Sequence, residues 1–248
     1  MKAIVLKRVR YGESDLILHF LLESNTVLKG FAPGARQSNR RYPHRFDLSG
    51  IYNIDQPSTA PGERLIRLGD VELVEFAPEF RADVVLMARW AMILEWISQD
   101  LEQSLTFDHL IQLRADLRCQ NLESFHDFFW QIVVEEGIAP SIDQCAICHQ
   151  SDVLDEGAFG AQGFMHSRCG SGISLQAETL NWILRRLDLK ERPAVFGPAI
   201  LKELDVITVP YLQQQLGRSL KSFEFFQQLG LERNPVPEEQ SPAFALQK

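Results

Sequence analysis

The stretch Ala3-Ile4-Val5-Leu6-Lys7-Arg8-Val9, followed across Gly12 by Asp15-Leu16-Ile17-Leu18-His19-Phe20-Leu21-Leu22-Glu23, decides how the first third of this chain folds. Both blocks are rich in β-branched and long apolar residues, are short, and are bounded by turn residues, which is the pattern of strands. Working outward, the same pattern returns at residues 26–31, 46–54 and 64–76, with Ser24-Asn25, Pro33-Gly34 and residues 57–62 as the breaks between blocks. Five short antiparallel strands within residues 1–78 predict a small barrel. The OB-fold has that strand count and size, and an SH3-like barrel is the alternative.

After Pro78 the period changes. Val84, Leu86, Trp90, Ile93, Leu94, Ile97 and Leu101 recur at helical spacing with apolar residues around most of the circumference, predicting a buried spine helix. Residues 107–119 and 122–136 read as two more helices; in the second, Leu122, Phe125, Phe129, Ile132 and Val133 share a face and Gly137 stands where a C-terminal cap belongs. Cys119 is expected to pack as a small buried hydrophobe, and Phe125, Phe128, Phe129 and Trp130 as core. Helical spacing resumes with Leu180, Ile183, Leu184 and Leu187. Pro198 and Pro210 are expected to open further helices, where a missing N–H costs nothing. Residues 216–222 form a break carrying Arg218 and Lys221, and residues 232–248, polar with three prolines, read as a disordered tail.

Between these helices, Cys145-Ala146-Ile147-Cys148 is answered by His166-Ser167-Arg168-Cys169, the pattern Cys-x2-Cys-x17-His-x2-Cys. Two thiolates two residues apart can point inward from one tight knuckle, and a second pair closes a tetrahedron. Three sulfurs and one imidazole nitrogen suit a single structural Zn²⁺. Gly157, Gly160 and Gly163 with Phe159 and Phe164 read as a hairpin joining the knuckles, too small to bury a core unaided, so metal would supply folding energy locally. An empty knuckle and redox chemistry are the alternatives, and His149, beside Cys148, competes with His166 for the fourth position. Three cysteines plus water would resemble an open catalytic site, but the His-x-Glu that a zinc deaminase needs is missing upstream. The expected organisation is therefore α+β: an OB barrel at 1–78, a helical domain at 79–143 and 173–231, and a zinc-ribbon-like module at 144–172 inserted within it.

Charge is distributed unevenly. Of the 248 residues, with net charge −8, the first 46 hold nine Lys/Arg against three acids, leaving 16 against 30 for the rest. A basic end on an acidic chain is the arrangement expected when one module meets nucleic acid and other surfaces meet protein. No acid occurs between Glu23 and Asp47, and the Gly/Pro/Ser/Asn-rich loop at 31–45 interleaves arginines with Phe31 and Tyr42. Guanidinium groups for phosphates and aromatic faces for bases are what single-strand binding needs. Lys29, Arg36, Arg40, Arg41, Tyr42 and Arg45 are the candidate contacts; a merely solvated basic loop is the bland alternative. No eighteen-residue apolar run and no signal peptide occurs, so a cytoplasmic, nucleoid-associated protein without membrane contact is expected. No phosphate-cradling glycine loop and no nucleophile–base pair stands out, which favours a protein that is not an enzyme.

Several of these pieces together resemble the RecO family of bacterial recombination mediators. Tyr11-Gly12-Glu13-Ser14-Asp15, Gly34-Ala35-Arg36 and Phe46-Asp47-Leu48 are similar to that family's barrel domain. The run from Gly137 to Cys145 resembles the approach to its zinc knuckle, and Gly217 to Ser222 its Gly-x-x-Leu-Lys-Ser element. The resemblance implies an OB-fold, a helical domain with a zinc site and a non-enzymatic role: binding single- and double-stranded DNA, annealing complementary strands, and pairing with RecR. It further implies contact with the acidic C-terminal tail of single-stranded DNA-binding protein (SSB) and, indirectly, loading of RecA. Arg218 and Lys221 are the candidates for that tail's carboxylates, although their cations could equally satisfy helix ends. Two positions depart from the family pattern, Pro33 where lysine is common and His166 where cysteine is common. A zinc-ribbon adaptor whose barrel binds RNA or a protein partner is the runner-up, because OB-folds serve many ligands.

Overall fold

Alternation along the first strand sets the barrel. The computed structural model describes residues 1–38, 40–55, 65–99, 106–151, 153–156, 158–187 and 196–229. β1 (Lys2–Tyr11), β2 (Asp15–Leu22), β3 (Val27–Ala32), β4 (Ile51–Ile54), β5 (Ile66–Arg67) and β6 (Val71–Glu75) form one sheet in the order β5-β3-β2-β1-β4-β6. Every pairing is antiparallel except β3 with β5, where Gly30 lies beside Ile66 and Phe31 beside Arg67. The two edge strands, β5 and β6, are consecutive in the chain and separated only by residues 68–70. They are one broken fifth strand whose two pieces close the sheet on itself, which is the OB connectivity and excludes the SH3-like alternative.

The break has a packing cause. Leu68 donates its N–H to the Phe31 carbonyl at 2.8 Å, and its side chain occupies the space over Gly30. A Cβ at Gly30 would lie 2.8 Å from Leu68 Cδ2, so any larger residue there would force the Leu68 side chain to move. The barrel core is Ala3, Val5, Leu18, Phe20, Tyr42, Phe46 and Tyr52, with the Phe46 ring 5.8, 5.1 and 5.4 Å from those of Phe20, Tyr42 and Tyr52. The expected strand at 46–54 pairs only over Ile51–Ile54. Ahead of it, Pro43–Arg45 form a 3-10 turn and His44, Arg45 and Phe46 have φ of 50°, 50° and 58°, so the backbone is not extended there. Left-handed conformations at three successive non-glycine residues are costly and need the surrounding packing to fix them.

The helices are α1 (Glu79–Ala82), α2 (Val84–Gln99), α3 (Phe107–Arg118), α4 (Glu123–Glu135), α5 (Val153–Glu156), α6 (Ala177–Arg186), α7 (Pro198–Leu216) and α8 (Lys221–Gln228). α2 is the expected spine, burying Leu86, Trp90, Ile93, Leu94, Trp96 and Ile97, with Asp83 accepting the Val85 and Leu86 N–H groups at its start. Gly137, at φ 65°, ends α4: its N–H reaches the Val134 carbonyl while the Ile138 N–H reaches that of Val133, a Schellman closure. Phe125, Phe128, Phe129 and Trp130 are buried in the helical core.

Two expectations fail here. Cys119 is exposed, because α3 ends at Arg118 and the chain turns away through Gln120 at φ 60°. Pro210 lies inside α7 and opens no helix. Its neighbours Ile207, Val209, Tyr211 and Leu212 are buried in the helical core, where α7 meets α4, α6 and β7, and this packing carries the helix past the missing donor. Pro198 does open α7, with Gly197 before it and Gly217 at φ 61° closing the other end. The turn at 57–62 and the tail at 232–248 lie outside the described residues.

Barrel and helices are joined through specific polar contacts. Trp90 donates its indole N–H to the Leu48 carbonyl at 2.8 Å. Arg114, its side chain 2% exposed, gives Nε to the Ser49 carbonyl at 2.8 Å and Nη1 to Glu75 at 2.9 Å. Arg118 joins Glu75 to Glu79 at 2.5 and 3.1 Å. Within the helices, Asp205 takes Arg89 Nη2 at 2.5 Å and faces His126 Nε2 at 3.3 Å, while His126 Nδ1 lies 3.2 Å from the Thr208 hydroxyl, locking α2, α4 and α7 together.

Candidate metal centre and nucleic-acid interface

The first knuckle is shaped by its own backbone. The Cys145 N–H donates to the Gln150 carbonyl and the His149 N–H to the Cys145 carbonyl, both at 2.9 Å, and the Ala146 N–H ties the turn to Phe164 at 2.9 Å. Phe164 belongs to β8 (Gly163–Met165), which pairs with β7 (Ala158–Gly160), itself flanked by β9 (Ile173–Ser174). The Cys169 N–H bonds the His166 carbonyl at 2.9 Å, forming the second knuckle. The expected hairpin is present, but it does not stand alone. The Phe159 ring lies 4.8 Å from Phe164, 5.3 Å from Tyr211 and 6.1 Å from Trp130, so the knuckles share the helical core.

Cys145, Cys148, His166 and Cys169 offer donor atoms that all lie within 4.8 Å of one another, a cluster that could hold a metal ion. The edge of a tetrahedron with metal–sulfur bonds of about 2.3 Å is about 3.8 Å, so a small contraction suffices. His166 Nδ1 lies 3.4 Å from Cys148 Sγ and 3.9 Å from Cys169 Sγ, and its Nε2 lies 3.1 Å from the Ser151 carbonyl. That outer partner fixes the ring so that Nδ1 faces the sulfurs. His149, at φ 59°, is exposed and outside the cluster, so His166 completes the donor set. Burial opposes ionisation of Cys145, yet the N–H groups of Cys148, His166 and Ile147 outweigh it and bring the thiol down to about 6. At Cys169, burial and the neighbouring Cys148 and Cys145 push the thiol up. Sulfurs this close ionise together only around a cation.

The candidate basic residues fall into separate places. Arg36 and Arg45 meet Arg8 and Arg10 around a cleft of 530 Å³ at the barrel mouth, completed by Glu13, Leu16 and Gln37. Arg36 donates Nη1 to the Glu13 carbonyl at 2.6 Å, and Arg8 donates Nη1 to the Arg45 carbonyl at 3.4 Å. Arg41 lies 3.6 Å from Asp70 with its guanidinium 5.2 Å from the Tyr42 ring centre, and Arg40 is exposed on the same connector. Lys29 is exposed on the other side of the sheet, beside His19.

Tyr42 requires a correction. It is 0% exposed, packed on Phe46 and donating its hydroxyl to the Leu68 carbonyl at 3.4 Å, so its face is taken up by the barrel core and offers nothing to a base. Arg8 and Arg10 are the converse. Plain alternation from the inward-facing Ala3 and Val5 would turn both outward, but the register shifts between Val5 and Lys7 and places Arg8 opposite Leu18 and Arg10 opposite Leu16, on the interior side. The charge run of residues 1–46 is the one sequence signal that includes them.

Arg218 and Lys221 stand at the α7–α8 junction. The Arg218 guanidinium lies 5.4 Å from the centre of the Trp96 ring, and Lys221 is exposed on the rim of a 510 Å³ cleft shared by Lys7, Arg8, Leu48, Leu94 and Gln99. Glu95 caps α8, accepting the Lys221 and Ser222 N–H groups at 3.1 and 2.9 Å. Among the described residues, no helix is long and apolar enough to cross a membrane.

Residues 1–52 match the family model described as "Recombination protein O N terminal" and residues 104–224 the model described as "Recombination protein O C terminal". Proteins named "DNA repair protein RecO" from several bacteria are similar to this chain. That of Myxococcus xanthus is 26% identical over 249 residues, covering 93% of this chain and 97% of the relative. That of Syntrophotalea carbinolica is 24% identical over 241 residues, 92% and 93% of the two chains. The relative from Desulfatibacillum aliphaticivorans is 26% identical over 175 residues, 68% and 67% of the two chains. The two family models, matched in order and together spanning more than half of the residues, show that this chain belongs to the RecO family of DNA repair proteins.

Proposed function

We propose that this protein is a recombination mediator that binds single- and double-stranded DNA, brings complementary strands into register and, with RecR, assists RecA loading onto DNA coated by SSB. The observation that carries this reading is the cleft of Arg8, Arg10, Arg36 and Arg45. Four guanidinium groups around one opening suit phosphates, and phosphate contacts position a strand without reading its sequence. Arg40 and Arg41, on the connector that carries Arg45, extend this basic surface, and Lys29 adds a cation on the opposite side of the sheet. The proposed activity makes and breaks no bond; neutralising phosphates while leaving base edges free is sufficient for annealing.

The working division follows residues 1–78 as the DNA-binding barrel, 79–143 with 173–231 as the helical domain, and 144–172 as the metal module. Zn²⁺ is the ion that the donor set favours, held by Cys145, Cys148, His166 and Cys169 in a closed site whose role is structural. Arg218 and Lys221 are proposed to receive the acidic SSB tail at the α7–α8 junction.

The experiment is fluorescence annealing of two complementary strands, one coated with SSB, with and without this protein. Acceleration that disappears in a variant with the four cleft arginines replaced by alanine supports the mediator reading. A folded, metal-loaded protein that leaves the annealing rate unchanged contradicts it and favours an adaptor that binds RNA or a protein.

A further inference from the structure

Beyond the register shift, β1 carries two kinds of side chain in alternation. β4 pairs with β1 only over Lys2, Ala3 and Ile4, so over residues 7–11 β1 is an edge of the sheet, paired with β2 alone, while β2 continues to β3. Arg8 and Arg10 turn to the barrel's interior side and line the cleft. Lys7, Val9 and Tyr11 stand opposite His19, Ile17 and Asp15 and turn to the other side. The rows continue across the sheet. Lys29 lies beside His19, Phe31 beside Ile17, and Arg67 of β5 beside Phe31.

This outer face is built differently from the cleft. Tyr11 is 56% exposed and Val9 38%, and the Tyr11 ring meets Phe31 edge-on at 5.8 Å and 87°. Lys7, Lys29 and Arg67 are exposed around the pair. The one carboxylate in these rows, Asp15, is engaged by the Gly34 N–H and the Ser14 hydroxyl, both at 2.8 Å. Among the described residues, the cleft, by contrast, is lined by four arginines and no aromatic side chain.

We propose that the outer face of β1, β2 and β3 is a second single-strand site, so that one chain holds two strands at once with the sheet as the partition between them. One strand lies by its phosphates in the arginine cleft. The other stacks bases against Tyr11 and Phe31 while Lys7, Lys29 and Arg67 meet its phosphates. Exposed aromatics interleaved with cations form a base-stacking platform, whereas an apolar protein partner would have to bury three cations without counter-charges. The proposal rests on the DNA-binding reading given above and supplies what annealing requires, two strands on one support.

The test is the binding stoichiometry of two non-complementary homopolymer oligonucleotides of about six nucleotides, short enough to occupy a single site. One carries a donor dye and the other an acceptor, with energy transfer and sedimentation as readouts. The wild type is expected to take two strands per chain. The combined variant Tyr11→Ala, Lys29→Ala, Arg67→Ala is expected to take one, the affinity of the other falling about tenfold or more. Arg8→Ala with Arg10→Ala is expected to remove the opposite strand, and Tyr11→Trp, which keeps the platform, to retain both. One strand per chain in the wild type overturns the second site while strand binding stands. An outer-face variant with a native circular-dichroism spectrum that still takes two strands, or loses both together, overturns it likewise. No binding of any strand by the wild type overturns the DNA reading itself.

Discussion

His166 Nε2 lies 3.1 Å from the carbonyl oxygen of Ser151, and this pairing leaves Nδ1 as the nitrogen presented to Cys148 and Cys169. Replacing His166 with alanine is therefore expected to lower metal affinity by more than about tenfold, since even losing an outer partner of a ligand costs that much. His166→Cys should retain the ion, and His149→Ala should leave affinity unchanged. Competition against a chromophoric chelator measures all three, and a loss of affinity in the His149 variant would displace His166 from the donor set.

Strand binding should report the four cleft arginines through salt. Each phosphate contact removed is expected to flatten the slope of log K against log salt by about 0.7 on single strands, and affinity should fall alike for unrelated sequences. Arg8→Ala with Arg10→Ala tests the two positions that the register shift brings to the cleft. A slope equal to that of the wild type would take both residues out of the phosphate path.

Arg114 is expected to be the most costly single cation to remove from the barrel–helix junction. Its loss strands the Ser49 carbonyl and leaves Glu75 with Arg118 alone. Hydrogen bonds to charged groups of this kind contribute about 1.5–3 kcal/mol, and the half-exposed Glu75 limits the effect to that range. Urea unfolding of Arg114→Met, which keeps the apolar stem, should show a lowered midpoint; an unchanged midpoint would mean that apolar contact alone holds the junction.

Asp47 gives the fold an acid limb. Burial by itself raises its carboxyl, but the Ser49 hydroxyl and N–H, at 2.6 and 2.8 Å, and the Arg81 guanidinium outweigh burial and hold it below 3.8. A carboxylate whose folded-state pKa lies below its unfolded value contributes stability above that unfolded value, and the contribution is lost as pH falls through the folded one. Asp47→Asn should be less stable at neutral pH by about 1–3 kcal/mol. It should also lose less stability than the wild type below pH 3.8, because position 47 no longer titrates. Thermal melts across that range distinguish the two slopes; parallel curves would count against the assignment.

Most of the architecture is legible because it rests on local periodicity. The five apolar blocks of the barrel and the spacing of Trp90, Ile93, Leu94 and Ile97 each describe one element and what it buries. The knuckles are legible for a different reason, since a pair of close ligands needs only a tight turn. Features that depend on remote contacts are not legible in this way. The ring of Tyr42 looks available in the sequence and is enclosed by Phe46 and the Leu68 carbonyl, the latter 26 positions away. Pro210 reads as a helix start and is carried inside one by tertiary burial. Above all, the extra residue between Val5 and Lys7 inverts the facing of everything after it, which separates Arg8 and Arg10 from Lys7 and Tyr11.

The connector between β3 and β4 also gives the molecule a built-in optical probe. Arg45 lines the cleft, and three residues later the Leu48 carbonyl accepts the indole N–H of Trp90, at the centre of the spine helix. The excited indole is sensitive to the field along that bond, so occupancy of the cleft should be readable as a shift in native emission without any dye. A chain with Trp96, Trp130 and Trp182 replaced by phenylalanine would show that signal alone, and in real time, while strands arrive and leave.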